Sequence, residues 1–200
     1  VLVADDLIGV WGWSAAVRNA DTQWVVVSVD EDLDFSTEVD RDLSIVRKDA
    51  GQWMPQAPLT DDGLRDDSPH IVWDAVEGPL LLWRSGDEVV ELRGDFSGIP
   101  QTAFSSPDPL LDDGVDAEFA HASVMSGSLG PRVYWNQAGR IVQTGRQVAS
   151  VPWEVPTLVL DSELAQRVLA SKEVSGLPVF AYATQVIGPG RFRSPFLTPA

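Results

Sequence analysis

The sequence predicts a mainly β chain, an antiparallel sandwich or partly closed barrel with one late helix over residues 162–172. Three observations carry that expectation. Apolar residues come in short runs rich in β-branched and aromatic side chains, as strands require. Turn-forming residues punctuate those runs at short intervals. Hydrophobic residues fill 44% of the 200 positions, eight of them tryptophan, which is enough for a sizeable core.

Taken in order, "WVVVSV" (Trp24–Val29), "LSIV" (Leu43–Val46), "IVW" (Ile71–Trp73), "LLLW" (Leu80–Trp83) and "VYW" (Val133–Trp135) read as strands. "PLLLWRSGDEVVELRG" reads as a hairpin turning at Ser85, Gly86 and Asp87, where glycine tolerates positive φ. "PRVYWNQAGRIVQTGR" reads as a second, turning between Asn136 and Gly139. The two echo each other, Pro79/Trp83/Val89–Val90 against Pro131/Trp135/Ile141–Val142. Two short matches fall short of a sustained period, so shared hairpin physics is the expected reason. The helix rests on Asp161 as N-cap of Ser162–Lys172, with Leu164, Val168 and Leu169 on one face and Glu163 four residues before Arg167. Gly176 ends it, and Leu177–Ile187 returns to strand. The acid-rich stretches Asp30–Asp42, Asp61–Asp67 and Pro107–Glu118 read as exposed loops or loop edges. This makes one β-rich domain over residues 1–187 and an extended basic, aromatic tail over 188–200.

Thirty acids against fourteen bases give a net charge of −16. Such a field repels phosphate backbones and anionic lipid, which argues against nucleic-acid and membrane partners. No apolar run approaches the roughly 18 residues of a membrane span. The start "VLVADDLIGV" lacks a basic n-region and places Asp5 and Asp6 where a signal peptide is apolar. The absence of cysteine removes disulfides, thiolate metal sites and cysteine nucleophiles, and nothing in the sequence assigns a compartment.

Chemistry-bearing patterns are sparse. Asp30, Asp32 and Asp34 alternate like the start of a calcium loop, but Phe35 stands where an EF-hand needs glycine and Arg41 where it needs the closing glutamate. On an extended segment the same alternation puts the acids on one solvated strand face. His70 and His121 sit in no ligand motif, and "SGSLG" (Ser126–Gly130) lacks nucleophile-elbow spacing, so neither cofactor nor metal is expected. Asp74, Glu77 and Glu91 are the acids nearest aromatic strands, where surroundings can raise a carboxyl pKa as glycosidases require. Gly9-Val10-Trp11 resembles the G-x-W start of lipocalins, ligand-binding β-barrels with a late helix, and no second lipocalin signature accompanies it.

The tail "GPGRFRSPFLTPA" (Gly188–Ala200) carries two arginines, two phenylalanines, three prolines and no acid. Arg191, Phe192, Arg193, Phe196 and Leu197 form a candidate interface, with arginines for acidic loops and aromatic anchors for pockets. The expectation is therefore a non-catalytic structural or interaction protein. It would be a subunit of a larger assembly such as a virion or secretion-type particle, with protein partners including copies of itself. Two alternatives stand beside it: an acidic inhibitor or immunity-type binder of a basic protein, and an apolar small-molecule binder or carboxylate-based hydrolase with a Trp-lined cavity.

Overall fold

The computed structural model describes residues 10–30, 41–86, 88–105, 122–137, 140–160, 166–174, 177–184 and 197–199. Those residues form antiparallel sheets, and the mainly β class expected from the sequence is the class observed. By its contacts the chain falls into two compact units, Val1–Ser106 and Pro107–Ala200.

Unit 1 holds two sheets. The first runs β1 (Val10–Asn19), β2 (Thr22–Asp30), β3 (Arg41–Asp49) and β4 (Gln52–Trp53), with β5 (Ala57–Pro58) also paired to β3. Ala50 and Gly51 join β3 to β4 with φ of 47° and 80°, the twin positive values of a tight two-residue hairpin. The second sheet is a meander of β6 (Asp66–Asp74), β7 (Gly78–Ser85), β8 (Glu88–Arg93) and β9 (Gln101–Ser105). The sheets pack on each other like sandwich layers. Ala16, Trp24, Val26, Leu43 and Ile45 of the first meet Ile71, Leu81, Trp83, Val90 and Leu92 of the second. Full burial of side chains this size contributes about 1.5–3 kcal/mol each, so this seam holds the unit together. The register is tied by polar bonds as well: Ser14 Oγ accepts from the Ile71 amide at 3.0 Å, and Ser28 Oγ donates to the Asp66 carbonyl at 2.8 Å.

Unit 2 holds a meander of β10 (Ser123–Gly127), β11 (Gly130–Gln137), β12 (Arg140–Gly145) and β13 (Thr157–Leu160). Beside it lies a sheet of β14 (Gln166–Val174), β15 (Leu177–Thr184) and β16 (Leu197–Pro199). β14 packs against β10 and β11.

The expected helix is corrected here. Residues 166–172 are strand, paired along their length to β15, while residues 161–165 lie outside the described set. A register shift between Val168 and Ala170 explains the misleading pattern. A bulged strand places two adjacent apolar residues, Val168 and Leu169, where strict alternation would not, and that adjacency mimics a helical stripe. Val174 pairs with Leu177, so only Ser175 and Gly176 separate the strands. Cross-strand pairing over this short connection overrode local helix propensity.

The echoing hairpins turn out to be equivalent parts. Each supplies the two central strands of a four-stranded meander. Trp83 pairs with Val90 and Trp135 with Val142, and both indoles are sealed from solvent. Each hairpin follows a glycine of positive φ, Gly78 at 87° and Gly130 at 80°. The carbonyl of Pro79 accepts from the Gly94 amide, and that of Pro131 from the Arg146 amide, at 3.1 and 3.2 Å. The pattern Gly-Pro-x-x-x-Trp is thus one structural unit built twice.

Candidate functional site

Two groups of acids stand out among the described residues of unit 1. At the first, β6 opens with Asp66 and Asp67, which the sequence reading put on an exposed loop edge and the fold buries. Asp66 is wholly inaccessible, and its Oδ1 accepts from the Trp83 indole at 3.0 Å. Burial pushes its carboxyl up from 3.8 to about 6. The hydroxyls of Ser85 and Thr60 and the Trp83 indole pull the other way, and the charge of Asp62 adds to the rise. Oδ2 of Asp66 is sealed from solvent without a hydrogen bond of good geometry. Half-buried Asp42, at the start of β3, and exposed Asp62, on the β5–β6 connection, each bring a carboxylate oxygen within 4.8 Å of the others and of Asp66. Thr60 organises the group: its hydroxyl donates to Asp42 Oδ1 at 3.1 Å and accepts from the Leu43 amide at 2.8 Å. Asp67 next door is held by Arg65, with Arg41 at 3.6 Å.

The second place is the far end of the β6–β7 hairpin. Arg93 Nη1 donates to Glu77 Oε2 at 2.5 Å, and its Nε lies 3.8 Å from Glu91 Oε2. Glu77 is half-buried and Glu91 buried, so one guanidinium holds two carboxylates from different strands. Asp74 does different work. Its Oδ1 accepts from the amides of Val76 and Glu77, both at 2.8 Å, closing the turn that carries Glu77. Of the three acids singled out beside aromatic strands, the fold therefore joins Glu77 with Glu91 and gives Asp74 a backbone role.

Trp24, Trp73 and Trp83 of this unit serve packing, whereas Trp13 is exposed. Trp24 and Trp73 stack with centroids 5.5 Å apart, and the Arg18 guanidinium lies 5.0 Å from the Trp73 ring. A cavity of about 400 Å³ beside β3 is lined by Arg47, Met54, Pro58, Asp95 and Phe96 among others, and no tryptophan faces it. Phe96 sits at φ 61°, a strained value for a bulky residue. The hydroxyl and amide of Ser97 hold the Asp95 carboxyl below its ordinary range. In unit 2, Arg146 covers the Trp153 ring at 4.9 Å, and burial pushes the Tyr134 phenol up.

Other sites singled out in the sequence fare as follows. Asp30 is fully buried opposite Arg41 and does not lie on a solvated face, while Asp32 and Asp34 lie outside the described residues. His70 is half-buried within β6, and His121 lies outside the described residues. So do Arg191, Phe192, Arg193 and Phe196 of the candidate interface, together with the expected 187/188 boundary. Leu197 opens β16 and pairs with Ala181. The Asp42–Asp62–Asp66 convergence was missed because its members belong to two acidic runs that read as solvated. The one available signal was Asp66–Asp67 abutting the strand that leads into "HIVW".

No protein-family model and no curated protein matches the sequence. Solved structures do match in shape. A thermostable family-43 glycoside hydrolase superposes with a TM-score of 0.60 at 13% identity, over 95% of this chain and 71% of its own. An alpha-L-arabinofuranosidase from Clostridium thermocellum gives 0.55 at 12%, over 93% and 67%. An endo-arabinase from Bacteroides thetaiotaomicron gives 0.51 at 15%, over 92% and 72%. The chain shares their fold. Four-stranded antiparallel sheets recurring along a chain are the repeat of β-propellers, the architecture these neighbours exhibit. The expectation of a non-catalytic assembly subunit is corrected by this finding, since the structural neighbours are glycoside hydrolases. It rested on a tail that lies largely outside the described residues and on the lack of a linear catalytic motif, which a site assembled from separate strands does not need.

Proposed function

We propose that this chain is a glycoside hydrolase, cleaving glycosidic bonds by carboxylate acid–base chemistry. The observation that carries the reading is the Glu77–Arg93–Glu91 group, set in a fold shared with glycoside hydrolases. Glu77, the more exposed member, is placed to meet a substrate. Glu91 is buried and acts through Arg93, as a positioning residue.

Two of the structural neighbours are named for arabinose-containing substrates, so an aryl α-L-arabinofuranoside and arabinan are the first compounds to assay. The expected result is sugar release that falls by about a hundredfold or more in Glu77→Gln, the scale of a lost acid–base group. Absence of release from a panel of glycosides, or full activity in Glu77→Gln, overturns the proposal.

A further inference from the structure

We propose that Asp42, Asp62 and Asp66, with the Thr60 hydroxyl, form a calcium site where the start of β3, the β5–β6 connection and the start of β6 meet. It is separate from Glu77 and Glu91 and stands whether or not glycosides are cleaved. The carboxylate oxygens come from three places in the chain, and all lie within 4.8 Å of one another. Magnesium keeps most of its water shell and is usually held through one or two carboxylates, whereas calcium takes about six to eight oxygens in flexible geometry, so three carboxylates and a hydroxyl suit calcium. Every donor here is a hard oxygen, as calcium prefers.

The second observation is independent of the clustering. Asp66 is fully inaccessible, yet its Oδ2 has no hydrogen bond of good geometry. Buried polar atoms nearly always have a partner, and an ionised oxygen shut away without one is costly. A cation drawn into the cluster supplies that partner. Asp62 is exposed, which gives the ion a route in and leaves room for waters to complete its shell.

The test uses the intact chain after chelator treatment. Calcium is titrated by calorimetry and by thermal unfolding, with magnesium at equal ionic strength as control. Terbium emission sensitised by Trp83, whose indole is bonded to Asp66, gives a local readout. The expected result is saturable calcium binding with a raised Tm and a weaker magnesium response. Asp62→Asn, at an exposed position, should leave the metal-free Tm nearly unchanged and weaken calcium by at least about tenfold, because ligand charge sets the affinity. No saturable binding overturns the site. Equal calcium stabilisation in Asp62→Asn and Asp42→Asn overturns it too, since that is general screening of an acidic chain. Equal affinity for magnesium overturns the assignment to calcium.

Discussion

Replacing Asp66 by asparagine exchanges a buried carboxylate for a neutral group of the same shape. The amide oxygen can keep the Trp83 bond, and the amide nitrogen can donate toward the acceptors around it. In the wild type, burial moves this carboxyl from 3.8 to about 6. That displacement corresponds to at most about 3 kcal/mol of penalty on the ionised native state. Relaxation of the native state around the charge trims it to about 1–2 kcal/mol. The sign follows from linkage. The native state holds the proton more tightly than the unfolded chain, so this group's contribution is fully present below about pH 4 and is lost as pH rises through about 6. The Asn variant has no such loss. Urea unfolding of both proteins from about pH 4 to pH 8, in chelator, measures the difference. The variant should gain stability relative to wild type as pH rises, with the change concentrated between about 4 and 6 and flat above about 7. A difference constant across the whole range refutes the reasoning, because it means the carboxyl titrates as if solvated.

Two further outcomes concern the Gly-Pro-x-x-x-Trp units. A methyl group on Gly130 would run into the Arg146 carbonyl oxygen and stand 2.8 Å from that of Gln147, whereas one on Gly78 meets nothing nearer than Trp73 at 3.9 Å. Gly78→Ala should cost about 1–2 kcal/mol for its positive φ alone, and Gly130→Ala clearly more, by urea unfolding; equal costs contradict the close approach. Trp135 is fully buried, and Trp135→Ala should remove about 3–5 kcal/mol in the same assay. A loss under about 1 kcal/mol would mean that the β10–β13 sheet does not pack around this indole.

The strands centred on Trp24–Val29, Leu43–Val46, Leu80–Trp83 and Val133–Trp135 were legible because each carries a run of β-branched or large apolar side chains longer than its neighbours can disguise. The segment 166–172 was not, because one bulged residue replaces the alternating period with a helical-looking pair. β9 and β10 border Ser106–His121, where composition blurs any period. For the site, the position of Glu77 and Glu91 beside aromatic strands could be read, but not that Arg93 would join them. Asp66 was read as solvated because a run of acids looks the same whether its last member enters a core or not.

By itself, then, the sequence determined the strand-forming runs, the turns between them and the local pairing of the two tryptophan hairpins, since these depend on residues a few positions apart. Tertiary structure decided which sheet each hairpin joined, that the Gly-Pro-x-x-x-Trp pattern is a repeated part, and which acids left water. Those outcomes depend on contacts between residues far apart in the chain, such as Ser28 with Asp66 or Asp42 with Thr60. A carboxylate's environment is set by what folds over it, and no local pattern records that.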